Sequence, residues 1–270
     1  MELDFYKLNL CGNDFILFNL LKGGLPSEES RAKITRHISR RTEGVGSNGV
    51  IFLSENPEFS ATVHHYNYAG IKTPCFDAYL CASKFLFDYG FSRDGKISFF
   101  SSGSVVTVDS IDSLTFRIST GVARTENEEM MRINGNEYMY TPVSFDRIPG
   151  AGAVFFFFNK NRKEKEEIAR LFNLENDMSR RYKTVFTTVY SNDEIKIEPV
   201  FRRLEKDMIF AASVAGSASS YRSYCDNEIL VNCKGGELFF QKNETTNNVY
   251  ITGKPEYVFR GNYYFDESDS

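Results

Sequence analysis

The sequence predicts an α+β protein built from two halves of similar plan. Each half contains one helical pattern of apolar or small residues followed by three short strand patterns, a succession that occurs twice. The helical patterns are residues 75–89 and 208–224; the strand patterns are residues 97–100, 104–108 and 114–118 in the first half, and 229–232, 238–241 and 249–251 in the second. The chain has 25 Phe and 15 Tyr but no Trp, an aromatic bias typical of β-rich packing.

The N-terminal part of the chain shows short strands and one amphipathic helix. Residues 15–18 and 50–53 are apolar runs between turn residues, and residues 61–66 alternate at a period of two. Between the first two runs, residues 27–41 combine a Ser-x-x-Ser start with a basic end, which predicts a helix. The glycine-rich segment 44–49 therefore lies between a helix and a strand, the reverse of the order that dinucleotide binding requires.

Two further helices are predicted, one before and one after the middle of the chain. Helix 75–89 begins after Pro74 and ends at Gly90, and its apolar spacing predicts a buried face. Residues 161–171 are rich in Lys and Glu at i,i+4 spacing, which predicts a surface helix.

The polar, turn-containing stretch 119–126 is the expected boundary between the halves. We expect an N-terminal half of residues 1–120 and a C-terminal half of residues 121–256. A last strand near residues 257–265 is a candidate to return to the N-terminal half, and residues 266–270 form an acidic tail expected to be disordered.

The charge and composition exclude several classes of function. A formal net charge of -4 argues against broad nucleic-acid binding, which needs a basic face. The longest apolar run, residues 151–158, is far shorter than the roughly 20 residues of a membrane helix. The acidic start lacks the basic region of a signal peptide, so we expect a cytoplasmic protein. The five cysteines are then expected to be reduced, and no Cys/His spacing predicts a metal site.

Cys75 is the most interesting of the five cysteines. It stands at the first turn of a predicted helix, where free N–H groups and the helix dipole favour a thiolate. The alternative is that Cys75 and Cys81 are small buried hydrophobic residues, a common fate of cysteine that composition alone favours.

Several segments together resemble the diaminopimelate epimerase family. The similar segments are residues 11–15 (CGNDF), 41–49 (RTEGVGSNG), 67–70 (NYAG) followed by Cys75, and 252–255 (TGKP). They occur in the family's order and cover nearly the whole chain. The resemblance implies two pseudo-symmetric halves, each a β-rich barrel-like sheet around a central helix, with a cleft between them.

The resemblance also implies a reaction and a set of site residues. Members of this family invert the α-carbon of an amino acid without a cofactor, using one cysteine as base and a second as acid on the opposite face. Cys75 matches the first of these cysteines. Asn13, Asn48 and Asn67 fall in these segments, and Arg203 matches a family arginine in the further segment 199–203 (PVFRR). These four residues are the expected contacts to an amino-acid-like substrate.

The sequence departs from the family pattern at both helix starts. The second catalytic cysteine is replaced by Ala211, which can neither accept nor donate a proton. The glycine-containing segments after the two cysteine positions become 76–78 (FDA) and 212–214 (ASV), so that Cβ atoms crowd the expected anion site. Asp77 adds a negative charge where a substrate carboxylate would bind.

Three hypotheses follow from this mixture of retained and lost residues. The first is a divergent isomerase with Cys75 as base and Asp207 or Ser213 as its partner, acting on a small molecule; a homodimer is a candidate assembly. The second is a non-catalytic paralogue that binds a ligand or protein through the cleft. The third is a scaffold whose function does not involve the cleft.

Overall fold

The protein is described by a computed structural model that covers residues 2–133, 135–147, 150–157, 163, 165–168, 170, 182–200 and 206–265. The chain divides into two compact units. The first comprises Met1–Ile118, Arg203–Asp207 and Gly253–Ser270, and the second comprises Ser119–Arg202 and Met208–Thr252. Both units are β-rich with a helix against the sheet, so the predicted α+β class is confirmed.

The first unit is an eight-stranded sheet with two helices. Its elements are β1 (Glu2–Leu10), β2 (Asn13–Leu20), α1 (Glu28–Ile38), β3 (Gly49–Ser54), β4 (Thr62–Asn67), α2 (Phe76–Asp88), β5 (Lys96–Ser101), β6 (Ser104–Ser110), the start of β7 (Phe116–Thr125) and, as the last strand of the chain, β16 (Glu256–Tyr264). The order in the sheet is β16-β1-β2-β3-β4-β5-β6-β7, so the last strand of the chain lies beside the first.

The second unit contains a closed ring of strands. Its elements are the remainder of β7, β8 (Glu129–Ile133), β9 (Asn136–Phe145), β10 (Ala151–Phe156), β11 (Tyr182–Ser191), β12 (Glu194–Val200), α3 (Met208–Tyr221), β13 (Glu228–Cys233), β14 (Gly236–Lys242) and β15 (Asn248–Gly253). The order is β7-β15-β14-β13-β12-β11-β10-β9, and an additional pairing of β7 with β9 closes the ring. Strand β8 pairs with β9 outside it.

The two units repeat one pattern of strand pairing. From β1 to β6, successive strands pair antiparallel, parallel, antiparallel, parallel and antiparallel. From β9 to β14 the same alternation occurs in the same order. Helix α2 connects β4 to β5, and α3 connects the corresponding strands β12 and β13. This repetition confirms the predicted pseudo-symmetric halves.

Each unit encloses one helix. Helix α2 is buried from Phe76 to Leu86 and contacts every strand from β1 to β6. Helix α3 is buried from Met208 to Ser219 and contacts every strand from β9 to β14. A helix that is apolar on all sides needs cover on all sides, which the curved sheets provide. Helix α1 instead has one buried face, and the Ser27 hydroxyl caps it by accepting from the Ser30 N–H at 3.1 Å.

The structure corrects one predicted element, describes one predicted helix in part and leaves the predicted tail outside its range. Residues 119–125, expected to contain a turn, instead continue strand β7, and residues 123–125 pair with β9. Of the predicted helix 161–171, the described residues 163, 165–168 and 170 are helical. The predicted disordered tail, 266–270, lies outside the described residues. No helix in the described part of the chain is long and apolar enough to cross a membrane.

Gly216 marks a close approach between α3 and the sheet. A methyl group at this position would overlap the fully buried ring of Phe240 on β14. In an open helix, replacing Gly by Ala stabilises by about 1 kcal/mol, but overpacking a core costs about 1–3 kcal/mol. We expect Gly216→Ala to lower the free energy of unfolding, measured by urea denaturation. The loss should shrink in a Phe240→Leu background; a stabilised single variant would contradict this packing.

Candidate functional site at the start of helix α2

The three predicted site asparagines lie at the same end of three adjacent strands of the first sheet. Asn13 is the first residue of β2, Asn48 directly precedes β3, and Asn67 is the last residue of β4. Strands β2 and β3 are parallel and β4 is antiparallel to β3, so these three positions share the same end of adjacent strands. Sequence separation alone does not show this grouping; the strand directions produce it.

Cys75 lies at the N-cap of α2. Its backbone is extended, with φ −154° and ψ 117°, and the helix begins at the next residue. The side chain is buried, with 4% of the residue exposed, and its Sγ is 3.9 Å from the Lys206 carbonyl oxygen. The predicted position at a helix start is therefore confirmed, and so is the predicted burial.

Two carboxylates of the chain itself lie at this helix start. The Phe76 N–H, the first of α2, donates to Asp207 Oδ2 at 3.1 Å. Asp77, in the first turn, is fully buried and accepts from Asn13 Nδ2 at 2.6 Å. The N-terminus of a helix is a ready anion site, because its first N–H groups have no partner within the helix. Here Asp207 occupies part of that site.

Asn13 connects the two segments that meet at this point. Besides the bond to Asp77, its Nδ2 donates to the Lys206 carbonyl oxygen at 3.0 Å. Lys206 in turn donates from Nζ to the carbonyl of Gly12, the residue before Asn13. The carboxylate-bearing segment 206–207 is thus held against the β1–β2 turn by bonds in both directions.

The electrostatic environment keeps the Cys75 thiol neutral. Burial raises its pKa well above the ordinary range, and the negative charges of Asp207 and Asp77 raise it further. The backbone N–H groups of Asp77 and Ala78 oppose this rise without cancelling it. The expectation that the helix start favours a thiolate is wrong for this structure, because desolvation and two carboxylates outweigh the helix N–H groups.

A cluster of charged side chains lies beside these asparagines. Lys7 is buried and donates to Asp14 Oδ2 at 2.6 Å, while Arg41 donates to Asp14 Oδ1 at 2.7 Å and to Asn48 Oδ1 at 3.2 Å. Burial would raise the pKa of Asp14, but the bonds from Arg41 and Lys7 lower it. Burial lowers the pKa of Lys7. Asn48 is therefore oriented by Arg41, and its buried Nδ2 makes no hydrogen bond with the described residues.

The other predicted site residues have mainly structural contacts or lie outside the described range. Asn67 Oδ1 accepts from the N–H groups of Ala69 and Ile71, both at 3.1 Å, which shapes the turn after β4. Ser213 lies inside α3 and is fully buried, and its Oγ donates to the Ile209 carbonyl at 2.8 Å. Because the Ser213 hydroxyl already donates to a carbonyl of its own helix, Ser213 is poorly suited to proton transfer. Arg203 lies outside the described residues.

The second cysteine position has no replacement acid on α3. Ala211 is fully buried in the first turn of that helix. Ser213 Oγ is 3.1 Å from Thr120 Oγ1, a second buried bond within the same unit. Within the described part of α3, no side chain with a titratable proton stands in the first two turns.

Sequence reasoning missed Lys206 and Lys7 as members of this region. Lys206 contributes through its carbonyl oxygen, which no side-chain pattern reveals. Lys7 lies in β1, where the alternation of apolar and polar residues gave no sign that a lysine would be buried. Asp14 and Arg41 both lie in the motif segments, and this was the one sequence signal that could have predicted their pairing.

Comparison with characterised proteins supports the family resemblance. No protein-family model matches the chain. A diaminopimelate epimerase from Desulfovibrio desulfuricans is 25% identical, over 98% of the chain and 99% of that protein. A diaminopimelate epimerase from Agathobacter rectalis is 22% identical, over 95% of the chain and 98% of that protein. The similarity thus extends over nearly the full length of both sequences.

Solved structures share the fold at much lower identity. A phenazine biosynthesis protein of the PhzF family from Bacillus anthracis superposes with a TM-score of 0.70 at 10% identity, covering 98% of this chain and 100% of that one. A hydroxyproline epimerase from Agrobacterium vitis, with bound trans-4-hydroxy-L-proline, gives a TM-score of 0.68 at 9% identity, covering 97% and 92%. These likenesses establish the fold alone.

The charge of Asp207 should be measurable at Cys75. Replacing Asp207 by Asn removes a negative charge next to the thiol, so the pKa of Cys75 should fall toward its ordinary value. The test follows the ultraviolet absorbance of the thiolate against pH, in a chain that keeps Cys75 as its sole cysteine. Asp112→Asn, at a fully exposed carboxyl, is the matched control. An unchanged Cys75 titration in Asp207→Asn would contradict the described contact.

Proposed function

Because the chain is a divergent relative of the diaminopimelate epimerases, we propose that it is an isomerase that moves an α-proton on a small amino-acid-like substrate. The reaction needs no cofactor, and Cys75 and Asp207 form its acid–base pair. The observation that carries this proposal is the hydrogen bond from the Phe76 N–H to Asp207, next to the buried thiol of Cys75. An ionisable carboxylate and a neutral thiol at one helix start supply both proton-transfer roles.

Our proposal assigns the two roles differently from a two-thiol enzyme. The raised pKa makes Cys75 a proton donor in the resting protein, so Asp207 is the base. A substrate carboxylate competes with Asp207 for the Phe76 N–H, and its binding releases Asp207 to take the α-proton. Cys75 then gives its proton to the opposite face of the α-carbon. Asp207 ends protonated and Cys75 ends as a thiolate, and exchange with solvent restores both.

The residues that match the family's motif segments would hold the substrate. We assign substrate binding to Asn13, Asn48, Asn67 and Arg203, following the motif segments. Once the substrate has displaced Asp207, the N–H groups at the start of α2 would stabilise the negative charge that develops on the substrate carboxylate. Asp77, fully buried in the first turn, adds a negative charge near the place of the substrate carboxylate. Since this departs from the family pattern, we expect a substrate other than diaminopimelate itself. A homodimer and a cytoplasmic location stay predictions.

A second candidate function is ligand binding without catalysis. It is favoured by the presence of Ala211 at the second cysteine position and of Asp207 on the N–H that a substrate carboxylate needs. If Asp207 is never displaced, the helix start is permanently occupied and no α-proton transfer follows. The two candidates therefore differ in one property, the ability of the bound state to exchange an α-proton.

Exchange of the substrate α-proton in deuterated water tests the proposal. The protein is incubated with the stereoisomers of diaminopimelate and with a panel of other amino acids, and NMR follows the α-proton signal. We expect exchange on at least one substrate, with a loss of about 100-fold or more in Cys75→Ala and in Asp207→Asn. Cys233→Ala, at a half-buried cysteine of β13, is the control expected to keep the wild-type rate.

Two outcomes would count against this function. Exchange that persists in Asp207→Asn would remove the assigned base. No exchange on any substrate, with the protein shown to be folded by circular dichroism, would favour the ligand-binding function instead.

A further inference from the structure

Helix α1 directs an arginine into the interior of the first unit. Arg31 lies on the buried face of α1, and only 6% of the residue is exposed. Its guanidinium carbon is 5.7 Å from the ring centre of Tyr66, which is itself buried on β4. Two of its donor groups, Nε and Nη1, are buried and have no hydrogen-bond acceptor among the described residues.

This arrangement leaves a buried charge incompletely compensated. A guanidinium stays protonated in proteins and carries N–H groups that need acceptors once they leave water. The nearest carboxylate, on Glu28, lies 4.0 Å from Nη2 and is mostly exposed, so it is largely screened by solvent. The Tyr66 ring stabilises the positive charge but accepts no hydrogen bond at Nε or Nη1 in this geometry.

Thr35 and Tyr66 also carry buried polar atoms without a hydrogen-bond partner among the described residues. Thr35 is one helical turn further along the same face of α1, is fully buried, and its Oγ1 has no partner among the described residues. Burial raises the pKa of the Tyr66 hydroxyl, whereas its interaction with the Arg31 guanidinium opposes that rise, and the hydroxyl proton has no acceptor among the described residues. Arg31 on α1 and Tyr66 on β4 thus bring unsatisfied polar groups close together, and Thr35 adds another on the same buried face of α1.

The charge around this position is positive. Burial lowers the pKa of His64 on β4 to about 4, and the charges of Arg31 and Lys72 contribute to that shift. His64 is therefore neutral at physiological pH, and its Nε2 forms a hydrogen bond with Ser54 Oγ at 3.1 Å. The cations Arg31 and Lys72 both act on His64, whereas the carboxylate of Glu28 is mostly exposed, and this balance favours an anion.

We propose that Arg31, Thr35 and Tyr66, with Lys72 at the rim, bind a small oxyanion such as a phosphate or carboxylate group. The anion accepts from the buried Nε and Nη1 groups of Arg31 and from the hydroxyls of Thr35 and Tyr66. Bonds between a guanidinium and an oxyanion are charge-assisted and stronger than neutral ones. None of these residues belongs to the group at the start of α2, so the site is independent of the proposed isomerase function.

The side-chain Nε–H signal of Arg31 reports on this site directly. Nitrogen-15-labelled protein is titrated with inorganic phosphate, sulfate and acetate at constant ionic strength, and the arginine Nε–H signals are followed by NMR. We expect the Arg31 signal to shift saturably with at least one of the three anions. Response to phosphate and sulfate alone would identify a tetrahedral oxyanion as the ligand, whereas response to acetate would identify a carboxylate.

Two variants separate a specific site from general charge attraction. Arg31→Met should weaken anion binding at least about tenfold, since it removes the charged donors. Lys33→Met removes a cation from the same helix, where Lys33 pairs with Glu29 at 3.5 Å, and should leave binding unchanged. If Arg31→Met does not fold, the wild-type Nε–H titration still decides.

Two results would overturn the proposal. One is the absence of a saturable Arg31 shift with all three anions, or an equal shift with sodium chloride at the same ionic strength. The other is a crystal structure grown in phosphate in which an ordered water, and no anion, accepts from Nε and Nη1 of Arg31.

Discussion

The first N–H groups of an enclosed helix must find acceptors, and this constraint organises the first unit. Helix α2 is surrounded by strands β1 to β6, so water does not cover its flanks. At its start the chain supplies the acceptor itself, the Asp207 carboxylate on the Phe76 N–H. Asn13 then bridges Asp77 and the Lys206 carbonyl, so the helix start, the β1–β2 turn and segment 206–207 form one hydrogen-bonded group.

The chemistry of the region follows from that arrangement. Two carboxylates beside a buried thiol make the thiolate unfavourable, so Cys75 enters any reaction as a proton donor. One of these carboxylates, Asp207, is the base in the proposed reaction. The proposed acid–base pair is therefore a carboxylate and a thiol rather than two thiols.

Much of the fold could be predicted from the sequence, whereas the electrostatics of the site could not. Helix α2 was predicted to within one residue at each end, because Pro74, Gly90 and the apolar spacing between them are local signals. Strand β7 was predicted too short, because polar residues such as Ser119 and Thr120 on a strand look like a turn in one sequence. The bond between Phe76 and Asp207 joins positions 131 residues apart, and the pKa of Cys75 depends on that bond and on burial. No local sequence pattern predicts this long-range bond or the raised pKa of Cys75.

The most direct test of this account is the backbone amide signal of Phe76 in a pH titration followed by NMR. If Asp207 accepts from this N–H, the Phe76 signal should shift as the Asp207 carboxyl is protonated, and in Asp207→Asn that titration should disappear. Asp112→Asn should leave the signal unaffected. A Phe76 amide that behaves identically in the wild type and in Asp207→Asn would contradict the hydrogen bond on which the proposed chemistry rests.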